Sequence, residues 1–117
     1  MASTATILNG ASLSDAIDLG VGPQMVGIQM PAAWTAADMT FQASVDGATY
    51  ANLTDDAGTE VTFTVSASKF VTLRTAALDL FYGKRYLKLR SGTAGAATNQ
   101  GADRAIKVFS QLRTGSY

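Results

Sequence analysis

The chain has 117 residues, 47% of them apolar and 15% charged, with no net charge, no cysteine and no histidine. That length buries roughly two-thirds of its unfolded surface in one core and is too short for two, so a single domain over 1–117 is expected. Disulfides and thiolate sites are excluded, and the usual nucleophilic triads, imidazole acid–base pairs and zinc ligand sets lack their residues. No cofactor or metal is expected, and the chain reads as a binding or structural protein and not an enzyme.

The zero balance is laid out unevenly. Every acidic residue except Asp79 and Asp103 precedes Lys69, the first basic one. Strands of the two halves that interleave would pair these charges across a ladder. Alternatively, opposed patches would let copies associate or dock on a charged partner. Zero net charge supplies little attraction to phosphate, so nucleic acid is not an expected partner. Residues 1–6 lack the basic start and apolar run of an export signal, and no segment reaches the roughly 18 apolar residues of a membrane span. Synthesis in the cytoplasm without membrane association is therefore expected.

In chain order, weak strands are expected at 6–8, 16–19 and 25–30, separated by Asn9-Gly10 and by Gly20-Val21-Gly22-Pro23. Gly20-Val21-Gly22 runs into Pro23 and an apolar strand, so it reads as a turn and not as a phosphate-binding loop. Residues 32–37, after Pro31, read as at most one helical turn that packs Trp34 inward. Residues 39–44 alternate, with Met39, Phe41 and Ala43 on one face. Asp46-Gly47 marks a turn, and Asp55-Asp56-Ala57-Gly58 another; Asp55, Asp56 and Glu60 offer oxygen ligands for a hard cation but match no EF-hand spacing. Alternation returns at 61–65 and a short strand is expected at 70–73, whereas 75–81 reads as a helix or as a loop ending in a strand. Two further alternating strands, 86–90 and 105–112, flank a small-residue connection at 92–101. Val61, Phe63, Val65, Leu87, Leu89, Ile106, Val108 and Leu112 are the expected core. Many short strands with regular turns imply an all-β, single-domain antiparallel β-sandwich.

The outward positions of the 86–90 strand carry Lys88 and Arg90, preceded by Lys84 and Arg85. These four residues are the candidate protein-contact site, a basic stripe suited to an acidic surface; a solvated outer face kept soluble by charge is the competing reading.

Two phrases, Phe41-Gln42-Ala43-Ser44-Val45-Asp46-Gly47-Ala48-Thr49-Tyr50 and Lys84-Arg85-Tyr86-Leu87-Lys88-Leu89-Arg90, resemble those of discoidin-like jelly rolls. The resemblance implies a jelly-roll sandwich in which Asp46-Gly47 turns a hairpin and Tyr86 begins a central strand. It also raises a carbohydrate-binding module, with Trp34, Tyr50 and Tyr82 as loop-end aromatics. The chain as a whole, especially residues 30–38 and 100–104, is similar to small proteins encoded among the head and neck genes of tailed bacteriophages. That resemblance implies a virion protein: a capsid decoration (cement) protein on the head shell, or a neck or tail component. The implied partners are the major capsid protein or other virion proteins, together with further copies of the chain.

Overall fold

The structure, a computed structural model, describes residues 2–112. Eight strands and one helix follow in chain order: β1 (Ala2–Ile7), β2 (Ile17–Asp18), β3 (Pro23–Gln29), β4 (Met39–Ser44), β5 (Ala51–Asn52), β6 (Phe70–Thr72), α1 (Thr75–Phe81), β7 (Tyr86–Ser91) and β8 (Arg104–Leu112). They form two four-stranded antiparallel sheets, ordered β1-β8-β3-β6 and β2-β7-β4-β5. The pairings β1 with β8, β2 with β7, β3 with β6 and β4 with β5 are those of one long antiparallel ribbon folded at the β4–β5 turn. The ribbon is then rolled so that β3 also meets β8 and β4 meets β7. This winding is the jelly-roll order, and the chain is an all-β sandwich of that type.

Alternation accounts for the core. Ile7, Met25, Ile28, Met39, Phe41, Leu87, Leu89, Ile106 and Val108 point between the sheets and are fully buried. Phe41 meets Phe63 and Phe81 edge-on, with ring centroids 4.8 and 5.0 Å away. α1 follows from the good helix formers Ala76, Ala77, Leu78 and Leu80, and it sends Phe81 into the core. The amide of Gln24, which lies on the outer side of β3, donates to the Leu78 carbonyl and fixes α1 there.

The Asp46-Gly47 turn closes the β4–β5 hairpin, and Tyr86 opens β7, which lies inside its sheet between β2 and β4. Gly92 ends β7 at φ 86°, and a Cβ there would lie 2.6 Å from the Ala96 carbonyl oxygen, so only glycine lets the 92–97 loop fold back.

Three expectations are corrected, and one strand is added to them. Residues 61–65 form no strand: Phe63 exchanges both backbone bonds with Met39, but β4 begins at Met39 on one side, and on the other the Phe41 carbonyl takes the Leu53 N–H, while Val61 N–H turns to the Leu53 carbonyl, so the ladder does not extend. Residues 32–37 form no helical turn, because the Gln100 side chain takes both the N–H and the carbonyl of Thr35. Leu112 is 61% exposed at the end of β8 and is not a core residue. The two-residue β5, too short for a visible alternation, was not expected at all.

Candidate interaction surfaces

The outer face of the β2-β7-β4-β5 sheet carries the charge. Leu87 and Leu89 face inward, so Tyr86, Lys88 and Arg90 face outward, as alternation requires. The structure does not leave the four candidate bases as one free stripe. Arg90 is buried at 7% exposure, because the segment carrying Glu60 folds over it. Its guanidinium donates to Thr40 Oγ1 at 3.0 Å, Asn52 Oδ1 at 3.1 Å and Glu60 Oε2 at 2.6 Å. The Glu60 carboxylate also accepts the Ala94 N–H, tying down the loop after β7. Arg90 is thus a structural cation and not a contact residue: burying it demanded partners, and it has three.

Arg85 forms a two-point ion pair with Asp18, at 2.7 and 3.0 Å, and its guanidinium lies 4.8 Å from the Tyr86 ring centroid. That hydrogen bonding holds the Asp18 carboxyl below its usual range and raises Arg85. The Lys88 ammonium sits 4.6 Å above the Tyr50 ring, and Lys84 reaches back to the Tyr82 carbonyl at 3.4 Å. Both ion pairs, Arg85–Asp18 and Arg90–Glu60, join the acidic first half of the chain to the basic second half. The lopsided charge is therefore used in part for pairing between the two halves of the chain on one sheet; Arg113 lies outside the described residues.

The carboxylates of the turns have local duties. Asp55 accepts the N–H groups of Ala57 and Thr59, while Glu60 is turned to Arg90, so the three acidic groups do not converge on one point for a cation. Among the described residues no group of three or more acidic, His or Cys side chains is placed to hold a metal ion. Asp46 accepts from Ala48 N–H, Thr49 N–H and the Ser44 hydroxyl, and these bonds lower its pKa to about 2. The carboxylate therefore supports the hairpin fully above its unfolded pKa near 4 and loses that support as pH falls through about 2. Asp46→Ala is expected to melt below the wild type at pH 6, with the gap closing between pH about 4 and about 2. Thermal unfolding of both proteins across that range measures it.

The other sheet presents a different outer face, which the sequence reading missed. Two cross-strand rows run over it: Ala2, Phe109, Gly27 and Thr72, then Thr4, Lys107, Gln29 and Phe70. Lys107 is the one charge in these rows. Gly27 leaves a gap in the sheet surface, and Phe70 and Phe109 stack there at a centroid distance of 4.9 Å and an interplanar angle of 25°. Phe70 remains 58% exposed. Beside the pair lies an open groove of about 710 Å³, floored by Val26 and Gly27 and walled by Phe109 and Leu78. A second groove of about 700 Å³ runs between α1 and residues 59–64. The signal for the stacked pair was in the sequence, as Phe at an outward position of 105–112, but only register brings Phe70 beside it.

The loop-end aromatics do not form one exposed platform. Trp34 is half-buried against the core with its indole N–H on the Ala37 carbonyl, the Tyr50 hydroxyl is buried, and Tyr82 is exposed. No helix among the described residues is long and apolar enough to cross a membrane. Comparison with protein-family models, curated proteins and solved structures returns no match.

Proposed function

We propose that the chain is a non-catalytic structural protein of a tailed-bacteriophage virion, a decoration protein that docks on the head shell and stabilises it. The observation that carries this reading is the division of labour between the two outer faces. One face spends much of its charge on internal pairing, while the other is broad, almost uncharged and bears a stacked aromatic pair. Depletion of charge around exposed aromatics is the composition of a protein-contact surface, not of a solvated one. The choice of a tailed-phage particle rests on the resemblance drawn from residues 30–38 and 100–104 of the sequence alone. A neck or tail position is the alternative within this class.

The partners in this reading are the major capsid protein or other virion proteins. Lys84 and Lys88, neither of which belongs to an ion pair among the described residues, add a salt-sensitive contact to acidic groups on the shell. The test is incorporation into purified particles. Copy numbers on the scale of the shell protein support decoration, and a single ring's worth moves the assignment to the neck or tail. The double variant Lys84→Glu, Lys88→Glu is expected to change stability by less than about 1 kcal/mol while lowering particle occupancy at low salt. Unchanged occupancy would remove these lysines from the contact. Retention of the isolated domain on neutral polysaccharide, with no association with particles, would replace the virion reading by a glycan-binding module built on the Phe70–Phe109 groove.

A further inference from the structure

A four-stranded sheet has two edges, so this sandwich has four, and edges must be blunted to avoid pairing with other chains. Three are. β2 and β5 are two residues long, and Asp18 of β2 is locked to Arg85. β6 has three residues and is flanked by Lys69 and Arg74. β1 is different: Ala2–Ile7 reads Ala-Ser-Thr-Ala-Thr-Ile, six residues without charge, proline or bulge.

The direction of its backbone groups follows from one pair of bonds. Thr6 N–H donates to Asp15 Oδ1 at 2.8 Å, and the Thr6 carbonyl accepts Asp15 N–H at 3.2 Å. Both groups of Thr6 therefore face away from β8. In an antiparallel ladder that orientation repeats every second residue, so the N–H and C=O of Thr4 and Ala2 face outward as well. Asp15 covers the edge at Thr6 only, and no hydrogen bond reaches the backbone of Ala2 or Thr4 from that side among the described residues.

We infer that β1 is a pairing edge whose occupant is β1 of a second copy, added antiparallel about a two-fold axis through Ser3. In that register Ala2 faces Thr4 of the other copy and each pair exchanges both backbone bonds, so the free groups are self-complementary. A register shifted toward Thr6 is blocked by Asp15. The occupant is a second copy because the two-fold register gives every free group of Ala2 and Thr4 its counterpart, and β1 itself carries no charge to meet a like charge; the nearby charges are Asp15, which closes the edge at Thr6, and Lys107, whose ammonium donates to Thr4 Oγ1 on the outer face. The result is one eight-stranded sheet across two molecules, with the aromatic outer face, whose cross-strand rows hold Lys107 as their one charge, continuous over both. The pairing goes beyond the virion reading and stands or falls without it.

Sedimentation velocity of the full chain over a concentration series tests this. The wild type is expected to shift from monomer toward dimer as concentration rises, with the Thr4 amide protected from hydrogen exchange only in the concentrated sample. Thr4→Pro removes one outward N–H and none from the ladder to β8, so it is expected to fold and remain monomeric over the same range. Thr4→Lys is expected to do the same through like-charge repulsion, and it decides the matter if the proline variant does not fold; Thr4→Val should dimerise like the wild type. A wild type that stays monomeric at millimolar concentration, or a Thr4→Lys variant that dimerises equally, overturns the inference. So does a dimer whose Thr4 amide exchanges as fast as in the monomer, since another surface would then make the contact.

Discussion

Phe41→Ala is expected to lower stability by about 3–5 kcal/mol, close to the limit that a domain of this size tolerates. Phe41 is fully buried at the centre of β4 and touches Phe63 and Phe81 edge-on. Truncation removes the transfer energy of the ring and leaves a cavity whose walls belong to three elements: β4, α1 and the 61–65 segment. Two of those walls are held by few other bonds, so partial collapse around the cavity is the expected relief, and it places the loss toward the lower half of the range. Phe63→Ala is expected to cost less, because Phe63 is only partly buried, and the double variant to cost less than the two losses added, because the rings share contacts. Urea denaturation of the three variants measures all of this. A Phe41→Ala melting point within a degree or two of the wild type would mean that β4 faces the other way.

Arg90→Ala is expected to cost about 3–5 kcal/mol, and here the loss is electrostatic. Removing the guanidinium takes the cation from the largely buried Glu60 carboxylate and the donor from buried Thr40, releases the exposed Asn52, and loosens the Glu60 contact that holds the loop at Ala94. Reversal to Glu is expected to be worse, placing two carboxylates where one is already short of solvent. Lys88→Glu, two residues away on the same face, is expected to move stability by less than about 1 kcal/mol, since an exposed ammonium over a ring is worth little more. A double-mutant cycle between Arg90→Ala and Glu60→Gln should return a coupling of 1 kcal/mol or more on this account, at about the level buried pairs show. No coupling, with Arg90→Ala as mild as Lys88→Glu, would return Arg90 to the exposed face of the sheet.

The contrast between Lys88 and Arg90 shows what was legible in the sequence. Side-chain direction along a strand is a local property with period two, so the inward set of β4, β7 and most of β8 could be read directly from 39–44, 86–90 and 105–112. Turn positions were equally local: Asn9-Gly10, Asp46-Gly47 and Ser91-Gly92 each place a glycine at positive φ where a strand ends. The all-β class and the sandwich follow from these two local rules together.

Whatever depends on a partner far along the chain was decided by tertiary structure. Arg90 points outward as its parity demands, and it is buried only because Glu60, thirty residues earlier in a different loop, closes over it. Residues 61–65 alternate as well as any strand, yet their backbone partners are divided between Met39, for Phe63, and Leu53, for Val61. Phe70 and Phe109 become one surface feature through the register of β3 with both neighbours and the missing side chain of Gly27. β1 is an edge only because the ribbon rolls up with its ends outermost, while the similar-looking β8 becomes an inner strand. Periodicity determines which way a side chain points; sheet order and loop packing determine what it meets, because those energies come from contacts between segments that no local pattern encodes.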